Sequence, residues 1–332
     1  MELVANNNSV ENQIVSESEI VSESEIKMSK GNFLEANSEQ VSLRHLEQEC
    51  IIPVFSKDNE STISHFQFIN EASNAVKKMF PEMEVSEPDI RVSHFVKGRV
   101  PSAIGKPAKE LLEHERTLYY ERCAFVIDIP SIRQNVNGNM LSLSIGGVRS
   151  YSEQNLYSKK SLEKFKVFIG FKNSVCTNLC ISTDGFSNQI RIGSIEELES
   201  KMSQLFSSYN KQEHLSMMEQ MSLYQLSEKQ FAHFIGKARM YQHMNKDEQK
   251  DVLLLSLNDS QINHVVRDYY NCPNFGRNAN GSISLWNLYN VFTEANKASY
   301  IHNNLERSVD AYNLICNLGY SIRNNISNWF LS

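Results

Sequence analysis

Cys176 and Cys180, separated by three residues in "KNSVCTNLCISTDG", are the residues whose types and spacing most suggest chemistry, either metal binding or thiol redox work. A zinc site needs four soft ligands that usually arrive as two close pairs, and the chain has no second tight Cys or His pair. The segment also reads as a strand, in which residues four apart lie roughly 13 Å from one another. Such a pair cannot share one ion, so structural, half-buried thiols are expected. No metal or cofactor is expected elsewhere.

Other catalytic patterns fail on spacing. "GRVPSAIGKP" has two glycines and a lysine, but six residues separate the glycines and Pro107 follows Lys106. A phosphate-cradling loop needs four residues there and a hydroxyl after the lysine. The Gly146–Gly147 pair in "SIGGVRS" reads as a bulge or turn ending a strand. Nine dispersed histidines offer no metalloprotease or deaminase spacing, and no serine-hydrolase elbow occurs.

Charge is the more informative signal. The net charge of -6 is uneven: residues 1–49 hold ten glutamates against three cations, whereas residues 91–172 hold fourteen Lys and Arg against seven Asp and Glu. Within this basic stretch "VKGRVPSAIGKPAK" carries Arg99 and Lys106 among four cations with no anion. If "KFKVFIGF" is a strand, alternation puts Lys164, Lys166 and Phe168 on one face and Phe165, Val167, Ile169 and Phe171 on the other. The second set packs a core. The first offers cations for phosphates and a ring for a base, as a surface for single-stranded nucleic acid would, although an ordinary solvated lysine face has the same pattern.

The elements that must position these groups follow from periodicity. A leader over residues 1–45, with the tandem "VSESEI" "VSESEI", is too acidic and too poor in apolar groups to fold. "SHFQFINEASNAVKKMF" has helical apolar spacing at Phe66, Ile69, Val76 and Phe80 and stops at Pro81. Closely spaced β-rich runs, from "IRVSHFV" to "NQIRIG", predict a largely antiparallel sheet domain over 46–195. Helical patterns over 196–332 complete an α+β chain, with "NCPNFGRNANGS" as the main loop of that half. In "SLWNLYNVFTEANKASYI" an apolar stripe, Leu285, Leu288, Phe292 and Ala295, lies beside a polar one, Asn287, Asn290, Glu294 and Lys297. The polar stripe is either an ordinary wet side or a buried network meeting the sheet.

Several long strings, among them "HFVKGRVPSAIGKPAKELLEHERTLYYERCAF", "GGVRSYSEQNLYSKKSLEKFKVFIGFKNSVCTNLCISTDG" and "SLWNLYNVFTEANKASYIHNNLERSVDAYN", together resemble the Bacteroidetes family known as domain of unknown function 3871. The resemblance covers roughly Phe66 to Leu318 and leaves out the acidic leader. It implies a product of a conjugative or phage-like mobile element, distantly similar to phage/plasmid-like proteins, and it supplies no catalytic residue.

The sequence has no apolar run near the length of a bilayer span and no basic-then-apolar N-terminal signal, so a cytoplasmic protein with no membrane partner is expected. The leading expectation for its function is a mobile-element accessory protein that binds single-stranded DNA or RNA through the basic sheet face. Two other classes stay open: an antagonist that binds a host or element-encoded protein, and an enzyme with an unfamiliar site.

Overall fold

The computed structural model describes residues 31–50, 62–103, 105–153 and 162–332. The fold begins inside the segment expected to be a leader. Phe33 and Leu34 are buried, and β1, Glu39–Val41, pairs antiparallel with β2, Asp89–Val92. Arg91 reaches back to Ser38, donating to its side-chain oxygen at 3.1 Å and to its carbonyl at 2.8 Å. The expected leader over residues 1–45 is therefore corrected from residue 31 onward. Two apolar side chains next to each other suffice when a sheet face stands ready to receive them, and composition averaged over forty residues hides such a pair. The expectation for residues 1–30 lies outside the described residues.

A short helix α1, Leu43–Gln48, leads to the described part of the next element, α2, His65–Met79. Ser64 and Gln67 close a capping box at its start, which satisfies two of the amides a helix leaves orphaned there. Two strands β3, Phe95–Arg99, and β4, Arg116–Tyr120, form a ribbon that extends the β2 end of the sheet. Strands β5, Arg122–Val136, and β6, Asn139–Ser150, meet at a two-residue turn in which Asn137 and Gly138 have φ of 52° and 80°. Asn-Gly is the pair that most readily takes two left-handed residues in succession. The registry of β5 slips between Ile129 and Arg133, where Pro130, which has no N–H to give to a ladder, is accommodated.

β7, Glu163–Asn173, lies next to β6, and both β8, Leu179–Cys180, and β9, Phe186–Ile192, pair with its other side. The main sheet is thus antiparallel throughout, with β9 at an edge. Gly146 and Gly147 sit in the interior of β6 and do not end it. A Cβ on Gly146 would lie 2.7 Å from the Phe168 ring, and one on Gly147 would lie 2.6 Å from the Phe68 ring. The carbonyls of Phe125 and Lys166 on the neighbouring strands come as near to these Cβ positions, at 2.1 and 2.8 Å, so each glycine makes room for both a ring and the adjacent backbone, which corrects the bulge-or-turn expectation.

Beyond Gly193 the chain is mainly helical: α3, Ile195–Ser208; α4, Lys211–Gln220; the short strand β10, Gln225–Leu226; α5, Glu228–Tyr241; α6, Lys246–Lys250; and α7, Asp259–Asn271. Strand β11, Ile283–Ser284, returns to β10 and passes directly into α8, Leu285–Asn296, which a sharp corner separates from α9, Ile301–Asn324. Ser or Asn caps the starts of all of these helices except α9. No described helix is long and apolar enough to cross a membrane.

The result is an α+β fold with two apolar clusters. The larger one joins one sheet face to α2, α3 and the helical half without interruption. The smaller lies on the other face, where Ile301, Leu305 and Val309 of α9 and the Phe33–Leu34 pair cover Ala124, Val126, Val148 and Phe168. The sheet is therefore sandwiched along β7, and that strand is buried on both faces from Phe165 to Phe171.

The large core holds His214, whose Nδ1 lies 2.8 Å from the Tyr209 hydroxyl and whose ring meets those of Phe171 and Tyr312 edge-on. Burial lowers its pKa to about 4, partly opposed by Asp184. In the unfolded chain this imidazole takes up a proton below about pH 6.5, while the folded state resists it until about pH 4. Stability should accordingly fall on acidification through that window, by about 1.4 kcal/mol per pH unit from this residue at its steepest. Urea midpoints at pH 7, 6 and 5 check this: His214→Gln should flatten the slope by that amount.

Candidate nucleic-acid interface

The structure divides the expected basic face. Alternation along β7 holds, because Phe165, Val167, Ile169 and Phe171 all join the larger core. The opposite set, however, is not solvent-facing: Phe168 is 0% and Lys166 3% exposed. Phe168 packs under α9, so its ring is closed to a base. The Lys166 ammonium lies 3.1 Å from Glu153 and 3.4 Å from Glu306 and donates to the carbonyl of His302. Both residues are thereby corrected from binding surface to interior. The reason is that α9, over a hundred residues later in the chain, covers this face.

Lys164 is nearer the rim and pairs with Glu153 at 3.4 Å. It stands directly opposite Arg191 of β9. Arg99 and Lys106 lie apart from this strand, in the β3–β4 ribbon and its connecting excursion. Arg99 donates to the Lys106 carbonyl, and Lys106 pairs with the buried Glu115.

What the fold does assemble is a groove of about 500 Å³ between the edge strand β9 and helix α3. Among the described residues its lining includes Arg191 and Lys201, two glutamines, Gln189 and Gln204, and Phe186, which is half-buried and also packs against the smaller cluster, with no carboxylate. Local rules place each of these groups. In α3, Leu198, Met202, Leu205 and Phe206 face the core, which leaves Lys201, Gln204 and Ser208 at i, i+3 and i+7 along the groove wall. In β9, Ile190 and Ile192 point into the larger core, so Gln189 and Arg191 point away from it.

A bulge completes the arrangement. Phe165 and Val167 of β7 pair with Ile190 and Ser187, so β9 carries one extra residue at this point. That residue reverses the alternation and puts Phe186 on the α9 side, opposite Phe168. Both groove cations are exposed, and among the described residues neither Arg191 nor Lys201 forms a salt bridge. The arrangement supplies charge for phosphates, amides for base edges and one aromatic surface.

The cysteine segment turns out differently from the expected strand. Only Leu179–Cys180 is strand; Ser174 to Asn178 form a turn closed by bonds from Asn173 N to Asn178 O at 2.9 Å and from Thr177 N to Asn173 O at 2.8 Å. Thr177 has φ of 59°, a left-handed conformation that is costly for a β-branched residue. Burial pushes the Cys176 thiol up to about 12 and raises Cys180 as well, which leaves both as poor thiolate donors near neutrality. Among the described residues no group of three or more His, Cys, Asp or Glu is placed to hold a metal ion.

The strained turn is held by Asn290 of α8 and by Lys297 just past its end. Asn290 accepts from Asn173 Nδ2 at 3.1 Å through its side chain and from Asn178 Nδ2 at 2.9 Å through its carbonyl. The Lys297 ammonium donates to the Cys176 carbonyl and to Thr177 Oγ1 and pairs with Glu294 at 3.0 Å. The amides of Glu35 and Ala36 close on the carbonyl of Lys297. Asn287 stands apart, donating to the Gly276 carbonyl at 3.1 Å. These residues fasten three separate chain segments together, a positioning role.

The chain belongs to the family described as "Domain of unknown function, B. Theta Gene description (DUF3871)", whose model matches residues 14–331. The match reaches into the acidic segment and well before Phe66, where the resemblance of the motifs starts. No curated protein and no solved structure matches the chain.

Proposed function

We propose that this protein is a nucleic-acid-binding accessory protein, at work in a phage- or plasmid-like element, that holds a single strand in the groove between β9 and α3. The observation that carries this reading is the groove's lining: Arg191 and Lys201 with two glutamines and a phenylalanine, and no carboxylate among the described residues. A cleft of this composition suits a strand whose backbone follows the cations while its bases meet the ring and the amides. An acidic protein partner would find the same cations, but the amides and the ring would then have no specific task.

Arg191→Glu combined with Lys201→Glu should lower affinity for a labelled single-stranded oligonucleotide at least about tenfold at low salt. Both side chains are exposed, so the melting temperature should stay within a degree or two of wild type. Fluorescence anisotropy with a thermal scan checks both. Undiminished binding by this variant would remove the groove from the account.

A further inference from the structure

The geometry points to a second contact, on the β3–β4 ribbon, that takes duplex nucleic acid, so that the preferred substrate is a junction between duplex and single strand. This rests on the groove reading above and extends it to a substrate class. In the ribbon, Phe95 pairs with Tyr120, Lys97 with Leu118 and Arg99 with Arg116, which puts all six on one face: Tyr120 and Leu118 pack into the larger core at its foot, and Lys97, Arg99 and Arg116 form its outer, cationic part. Two arginines directly opposite one another repel in an isolated protein. Arg99 turns one amino group to the Lys106 carbonyl, and among the described residues no carboxylate pairs with Lys97, Arg99 or Arg116. The one carboxylate buried nearby, Glu115, is taken by Lys106. Phe95 is 49% exposed at the foot of the same face.

A polyanion resolves that repulsion, and the shape of the element selects which kind. A two-stranded ribbon fits the major groove of a duplex, about 12 Å wide. A single strand has no such groove. The ribbon also stands on the same end of the sheet as the positive end of the β9–α3 groove. It grows from the β5 end at Arg122, which pairs with Ser150 of β6, and Lys164 opposite Arg191 begins β7 at that end. From β5 across β6 and β7 to β9 is three strand spacings, ~14 Å. That is within the reach of one strand leaving a duplex held on the ribbon. Joining two weak contacts on one ligand raises affinity without any new contact.

The test compares wild-type full-length protein on three labelled probes: a single strand, a blunt duplex, and a duplex with a single-stranded tail. The tailed duplex should bind at least about tenfold more tightly than the single strand. Lys97→Glu with Arg116→Glu should bring that ratio close to one while single-strand affinity is retained, and Arg191→Glu with Lys201→Glu should instead remove the gain from the tail over the blunt duplex. Equal affinities for tailed duplex and single strand in wild type, or an unchanged ratio in the ribbon variant, would overturn the junction inference and leave the groove reading standing. No retention of any probe at low salt would overturn both.

Discussion

Lys166→Glu should destabilise the protein by about 3–5 kcal/mol, the usual cost of breaking a buried ion pair from one side. The wild-type ammonium is 3% exposed and faces Glu153, Glu306 and the His302 carbonyl. A carboxylate in its place would meet two carboxylates and a carbonyl oxygen, with little water to screen them. Lys166→Met is the informative control. It removes the charge but keeps the stem's packing, and Glu153 retains Lys164, so a loss of no more than about 2 kcal/mol is expected. Urea midpoints of the two variants measure the difference. A midpoint for Lys166→Glu equal to that of wild type would mean that this face of β7 is open to solvent and that α9 does not cover it.

The second large effect is expected at the other cover of the same face. Leu34→Ala should cost about 2–5 kcal/mol, because its fully buried side chain leaves a cavity among well-packed neighbours. Phe33→Ala should add a loss of similar size, and the two should couple because both belong to one cluster. Removing the chain up to Ser42 would also delete β1 and the Arg91–Ser38 contacts. A truncation of that length should lower the thermal midpoint by many degrees. Were it to melt like the intact chain, residues 31–41 would contribute nothing to the body of the fold.

These two cases show which parts of the molecule the sequence discloses. Period-two alternation in "KFKVFIGF" sorted the side chains of β7 correctly onto two faces, since alternation is a local property of an extended backbone. It could not say that both faces are covered, because the covers, α9 and the Phe33–Leu34 pair, lie far away in the chain. The switch from strands to helices near residue 195 and the helix that Pro81 ends were legible for the same local reason. The glycine pair of β6 was not, because its cause is the close approach of neighbouring backbone and of two aromatic rings from β7 and α2.

The candidate site was less legible than the fold. Density of charge led to Lys164 and Lys166, but density does not distinguish a lysine paired with Glu153 from one that stays available. Arg191 and Lys201 lie ten residues apart on different elements and belong to no motif. The signal that pointed to them was weak: "NQIRIG" alternates an amide and an arginine with two isoleucines, and "SKMSQLFSS" alternates its polar and apolar sides at helical spacing. Only the packing of α3 beside β9 brings the two cations together.

The most direct test of the central claim is the salt dependence of single-strand binding. Each phosphate neutralised on a single strand contributes about -0.7 to the slope of log K against log salt. Wild-type affinity for a labelled single strand should therefore fall steeply with salt, and neutralising both groove cations, Arg191→Gln with Lys201→Gln, should make the slope shallower by about 1.4. An identical slope in wild type and variant, or no measurable retention of the strand at low salt, would contradict the account.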